Sequence, residues 1–208
     1  MGKIVHFLVA FMACMPAVLW ADDDDSKYLA GAVPEVEGKV VFAKTFDLPG
    51  VDQGSIYDYV HDWLNSQAKA KNNDSRVVFA DKEKGQIVAD FEEYLVFTSN
   101  VVSLDRSLIN YNLVVFCKPE KCEMRIERIR FDYENKKHTA EEMVTDKVAI
   151  NKKKNTIYRG YKKFRIGVVD YVDNFYEKVR ITFGIKEDDS KPALINQSTP
   201  KTLLPTTE

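Results

Sequence analysis

QIVADFEEYLVFT (Gln86–Thr98), LINYNLVVFC (Leu108–Cys117) and MRIERIRFDY (Met124–Tyr133) are three runs that read as β-strands, and they decide the fold class. In the first, Ile87, Ala89, Phe91, Leu95 and Phe97 share one parity, while Asp90 and Glu92 take the other. Successive side chains of a strand point to opposite faces, so this alternation predicts one apolar and one wet face. Glu93 is the exception, an acid on the apolar parity. The second run repeats the pattern with Ile109, Tyr111, Leu113 and Val115. The third slips phase: Met124 and Ile126 share one parity, Ile129, Phe131 and Tyr133 the other. A β-bulge near Glu127-Arg128 returns all five to one face, because one extra residue inverts the parity. The connections are of hairpin length, so the pairing is antiparallel.

Outward from this block, Gly38–Leu48 reads as a strand with Val40, Phe42 and Phe46 inward and Lys44 out of pattern, and Pro49-Gly50 ends it. Ile56, Tyr59, Val60, Trp63 and Leu64 then fall at helical spacing, with Ser55 and Asp58 resembling a capping box at the start. That helix fades near Lys71, and Asn72-Asn73-Asp74 turns the chain into a short strand, Arg76–Ala80. After the block, Thr139 and Glu142 form a capping box that opens a short helix to about Ile150. A basic loop follows. The last helix runs from about Phe164 to Phe183 on a stripe of Phe164, Val168, Val172, Phe175, Val179 and Phe183, and Gly184 suits its end. The order β-α-β-β-β-β-α-α predicts an α+β domain: an antiparallel sheet of about five strands with helices on one face.

The ends differ from this core. Lys3, the apolar stretch Ile4–Trp20, Ala21 and the acidic run from Asp22 to Asp25 have the layout of a secretory signal, so residues 1–21 are expected to be removed and the chain exported to the periplasm or cell envelope. Pro16 and a length at the bottom of the roughly 17–25-residue spanning range argue against a retained anchor. The mature chain is therefore expected to lack a transmembrane helix. A lipid anchor through Cys14 is the alternative. Residues 22–37 read as a flexible leader, 38–184 as the domain and 185–208 as a disordered tail, too poor in apolar surface to offset its ordering entropy. A net charge of −2 argues neither for nor against a polyanionic partner.

The stretch Gly38–Phe46 (GKVVFAKTF), then Ile56-Tyr57-Asp58 and Trp63, resembles the start of a bacterial domain-of-unknown-function family with a TATA-binding-protein-like fold. Thr139-Ala140-Glu141-Glu142, Thr145-Asp146-Lys147 and Asn151-Lys152-Lys153-Lys154 resemble its later signature. The resemblance covers about residues 38–183. It implies helices on one face of a curved antiparallel sheet, in exported envelope proteins, and no catalytic assignment. Likeness to a DNA-binding fold does not carry a DNA-binding function.

Few residues carry a chemical signal. Cys117 and Cys122 flank a hairpin neck, where a non-hydrogen-bonded pair sets Cα atoms about 4.5 Å apart, within disulfide reach. In an exported chain this predicts a disulfide. Zinc would need a second ligand pair. His61 reads as a helix-surface residue and His138 as solvated ahead of a cap, and neither completes a catalytic triad. Glu93 needs a partner if buried: Arg128 or Lys44 would serve, and an open end of the sheet would remove the need. From Lys136 to Arg165, ten basic residues face three acidic ones, with Tyr158, Tyr161 and Phe164 interleaved. Lys152, Lys153, Lys154, Arg159, Lys162, Lys163 and Arg165 are the candidates for contact with an anionic surface. No cofactor or metal motif stands out, and nucleic acid is not expected outside the cytoplasm. The expected function is a non-catalytic binding or scaffold module of the envelope, its partner an envelope protein or an anionic surface. The alternatives are an assembly subunit that uses an exposed sheet face, and a hydrolase-type enzyme with an unrecognised site.

Overall fold

The computed structural model describes residues 25–71, 74–99 and 103–185; the expected signal segment, Cys14 and nearly all of the tail lie outside them. In chain order, a 3-10 turn, Asp25–Tyr28, precedes β1 (Glu35–Val36), β2 (Lys39–Asp47), α1 (Gln53–Lys71), β3 (Arg76–Asp81), β4 (Gln86–Ser99), β5 (Leu104–Lys118) and β6 (Lys121–Tyr133). Then come β7 (Lys136–Thr139), α2 (Ala140–Met143), α3 (Asp146–Ala149), β8 (Ile150–Asn151), β9 (Thr156–Ile157) and α4 (Arg159–Thr182). The main sheet has seven strands in the order β1-β2-β6-β5-β4-β3, all antiparallel, with β7 also pairing β6. About five were expected; β1 and β7, of two and four residues, are too short to leave an alternation signal.

The long strands follow their pattern. On β5 every second residue from Ser107 to Cys117 is buried. On β6, Met124, Ile126, Ile129 and Phe131 are all buried, and the register shifts between Asn110 and Asn112 opposite Arg128, which has φ 54°. This is the bulge the parity slip requires. Full burial of each such side chain stabilises by about 1.5–3 kcal/mol. Gly85 turns β3–β4 at φ 65°, where an added Cβ would lie 2.2 Å from the Cys117 carbonyl oxygen. Only glycine fits there.

α1 and α4 cover the apolar face. α1 starts at Asp52, whose carboxylate accepts from the Ser55 N–H at 3.0 Å and hydroxyl at 2.6 Å. The cap is thus Asp52, not the Ser55–Asp58 box. The Thr139–Glu142 capping box is present, but the helix it opens is two single turns, α2 and α3. α4 begins at Arg159, one turn before the expected start, so part of the expected basic loop is helical. The rest is the β8–β9 hairpin. α4 approaches β4 closely at Gly167, where a methyl group on the Cα would lie 3.2 Å from Leu95 and Phe97.

Residues 25–37 lie in the stretch expected to be a loose leader, yet they dock on the domain. Val33 is buried. The Tyr28 hydroxyl donates to Asp170 at 2.9 Å, and Lys27 pairs Asp170 and Asp173 at 2.7 and 2.9 Å. Among the described residues no helix is long and apolar enough to cross a membrane.

Candidate functional site

Between α1 and α4, above β4, lies a half-open groove of about 200 Å³. Helical spacing supplies its walls: Trp63 and Gln67 from α1; Tyr171, Asn174, Phe175 and Lys178 from α4. Phe91 and Glu93, two apart on β4, form the floor. Trp63 and Phe175 pack against each other in its wall, tilted, with ring centroids 6.2 Å apart.

Glu93 lies three residues past Asp90, where the pairing of β3 with β4 ends, so β4 is open on that side, as the open-end expectation had it. Its carboxylate accepts from the Tyr171 hydroxyl at 2.5 Å and from Tyr111 at 3.3 Å, and the two hydroxyls are 2.8 Å apart. Burial, then the nearby Tyr111 and Glu93 charges, pushes the Tyr171 hydroxyl far above the tyrosine range. Burial and then Glu93 do the same to Tyr111. Both hydroxyls therefore stay protonated as neutral donors that orient the carboxylate. Neither tyrosine is among the sequence-predicted site residues. Tyr111 stands directly opposite Phe91, two residues from Glu93. Tyr171 lies seven residues after Phe164, on a second shoulder of the α4 stripe. A tyrosine diagonal to a lone acid is the signal that could have found the first of them.

The structure divides the seven basic candidates. Arg165 is fully buried: Nε donates to the Tyr28 carbonyl and Nη1 to Val144, both at 2.5 Å, and Nη2 reaches the Leu29 carbonyl and Asp146 at 2.6 Å. Asp146 also accepts from the Gly31 N–H at 2.7 Å. Lys163 pairs Asp105 at 2.9 Å and donates to the Tyr133 hydroxyl at 2.7 Å. Lys162 pairs Asp25 at 2.7 Å. These three hold the domain together instead of forming a free patch, because α4 turns them toward the docked N-terminal segment and the sheet. Lys152, Lys153, Lys154 and Arg159 are exposed on the β8–β9 turn and the start of α4, beside half-exposed Tyr158.

Cys117 and Cys122 stand opposite each other in the β5–β6 register, both buried. The Cys117 N–H donates to Gly85 at 2.7 Å, toward β4, so the pair is non-hydrogen-bonded across β5–β6 as expected. Both are free thiols, which corrects the expected disulfide. The sulfurs share a hydrogen bond that holds Cys117 below the usual thiol range and, with burial, pushes Cys122 above it. His61 stacks on Tyr57 at 5.8 Å, and His138 pairs with Phe131 in the sheet. Among the described residues no three His, Cys, Asp or Glu side chains gather as a metal-holding group.

The face of the sheet away from the helices alternates charge. Glu123 pairs Arg125 at 2.6 Å, Asn112 hydrogen-bonds Asp90, and Arg106 lies 3.9 Å over the Tyr94 ring.

Comparison with known proteins agrees with this architecture. Residues 42–132 match the family model of a domain of unknown function (DUF4468) with TBP-like fold. A crystal structure of a DUF4468 family protein from Bacteroides ovatus is similar at 47% identity and a TM-score of 0.75, over 81% of this chain and 99% of that one. A TBP-like protein from Parabacteroides distasonis shares the fold at 20% identity and a TM-score of 0.61, over 75% of this chain and 99% of that one. No curated protein matches. At 47% identity over nearly the whole of a solved family member, the chain belongs to the DUF4468 family of TBP-like domains.

Proposed function

We propose that this chain is an exported, non-catalytic binding module of the cell envelope that sets its β8–β9 end against an anionic surface. The observation that carries the reading is the placement of Lys152, Lys153, Lys154 and Arg159, all exposed, at the end where residues 1–24 join the domain. Tyr28 and Leu29, next to that junction, pack on Ala149, Ile150 and Ile157 at the base of the hairpin. The N-terminal end of the described residues and a cluster of four cations thus lie together. Each cation near an anionic lipid surface adds about 1 kcal/mol, and exposed Tyr158 suits the headgroup layer. A hydrolase reading needs a second acid aimed at the cleft of Glu93; among the described groove residues Glu93 is the one acid.

Co-sedimentation of residues 22–208 with vesicles tests this. Binding to phosphatidylglycerol-containing vesicles is expected, with none to phosphatidylcholine alone and loss near 1 M salt, where the Debye length is about 3 Å. Changing Lys152, Lys153, Lys154 and Arg159 to Gln removes it. Equal binding to both vesicle types sinks the proposal.

The open sheet face favours a second reading, a subunit that pairs with its own copy. Phe79, Val88 and Val114 lie in one cross-strand row, with Val78, Tyr94 and Val96 exposed on the same strands. Light scattering that shows a dimer dissolved by Phe79→Glu would select it.

A further inference from the structure

We propose that the open edge of β4 pairs, antiparallel, with the same edge of a second copy of this chain. β3 pairs β4 from Gln86 to Asp90, whereas β5 pairs it as far as Ser99. Ser75, just before β3, closes one more position: its hydroxyl accepts from the Glu92 N–H at 3.0 Å and donates to the Glu92 carbonyl at 3.4 Å. Backbone groups alternate sides along a strand, so Tyr94 and Val96 turn their N–H and C=O the same way as Glu92. Among the described residues nothing hydrogen-bonds those groups on that side. The side chains are open too: Tyr94 is 56% exposed and Val96 51%. Sheets blunt such edges with Pro, with Lys or with a covering segment. Residues 91–98 contain neither Pro nor Lys.

The open groups select both the occupant and the register. A two-fold axis at Leu95 sets Tyr94 of each copy opposite Val96 of the other, and each such pair exchanges both N–H···O bonds. Every open group is then used. The exposed side chains meet as aromatic–β-branched pairs, which stabilise a sheet. Glu92 faces Thr98 and Glu93 faces Phe97 of the other copy, so no like charges meet. An axis at Tyr94 would need the Glu92 groups that Ser75 already holds. An axis at Glu93 would set that acid against its own copy. The edge is thus complementary to itself in hydrogen bonds and in charge. It lies apart from the Phe79 row, so this contact goes beyond the face-to-face self-pairing raised above.

The test is sedimentation equilibrium of residues 22–208; a solved family member covering 81% of this chain folds without the rest. So short a contact buries less than a standard interface, and a weak dimer is expected, with Kd on the order of 10–100 μM. Val96→Pro removes an outward N–H and spares the β5 ladder, so it should weaken the dimer about tenfold or more. Val96→Lys keeps the N–H, sets a charge at the contact and should weaken the dimer as well, which keeps the test open if Val96→Pro does not fold. Circular dichroism checks both. The register is read by mixing Tyr94→Cys with Val96→Cys under mild oxidation: the 94–96 cross-link should form faster than either variant links to itself, since paired Cα atoms lie about 5.5 Å apart. A monomer at every concentration up to about tenfold above the expected Kd, or an unchanged dimer in both folded Val96 variants, overturns the proposal. A dimer that Phe79→Glu dissolves and the Val96 variants do not overturns the edge contact and leaves the face reading standing. Faster self-linking of Tyr94→Cys overturns the register.

Discussion

Arg165 and Glu93 are both charged side chains inside the helix-covered half of the molecule, and they do opposite things. Arg165 is fully buried, and its guanidinium is spent on three carbonyls and Asp146, all within the chain. Glu93 is half-buried, held by two tyrosines and open to a groove. The first charge ties the N-terminal segment to α3 and α4. The second lines the groove and is held by the Tyr171 and Tyr111 hydroxyls. A charge buried among carbonyls and a carboxylate from distant segments ties those segments together, whereas a carboxylate oriented by neutral hydroxyls at a groove costs the fold less to lose.

The largest expected effect breaks the comparison from the structural side. Arg165→Met leaves three carbonyls and Asp146 without their donor and should cost about 3–5 kcal/mol. Hydrogen exchange should show residues 25–33 opening first. Arg165→Lys should rescue only partly, because one ammonium cannot reproduce the planar fork. A smaller effect is expected at Asp105. The Lys163 ammonium holds its carboxyl below the usual range. Its contribution is complete above the unfolded value near pH 4 and is lost as pH falls through the lower folded value. Acid unfolding curves of Asp105→Asn should therefore converge with those of the wild type at low pH and separate above it. Glu93→Leu should go the other way from Arg165→Met: stability unchanged within about 1.5 kcal/mol or raised, since Tyr111 and Tyr171 still pair with each other. The smallest effect belongs to the hairpin. Gln at 152, 153, 154 and 159 should leave the melting curve within about 0.5 kcal/mol while vesicle binding is lost.

The same contrast explains what is legible in the chain. Alternation in β4, β5 and β6, and even the bulge at Arg128, can be read because parity is a local property of a strand. The Thr139–Glu142 cap is equally local. Arg165 reads as a surface residue because its partners, Tyr28, Leu29, Val144 and Asp146, lie 19 to 137 residues away, and three are backbone carbonyls that leave no trace in sequence. The docking of residues 25–37 is hidden for the same reason. Glu93 is visible as an anomaly, but its partners depend on which helix face lies over β4. The cysteine register is legible, whereas the redox state of the pair is not a matter of spacing.

Arg165 holds the N-terminal segment to the fold, and Glu93 carries far less of the stability. Thermal unfolding of the wild type, Glu93→Leu and Arg165→Met tests that contrast most directly. Arg165→Met should lose about 3–5 kcal/mol, while Glu93→Leu should stay within about 1.5 kcal/mol of the wild type or above it. A Glu93→Leu protein that melts as early as Arg165→Met would contradict the contrast.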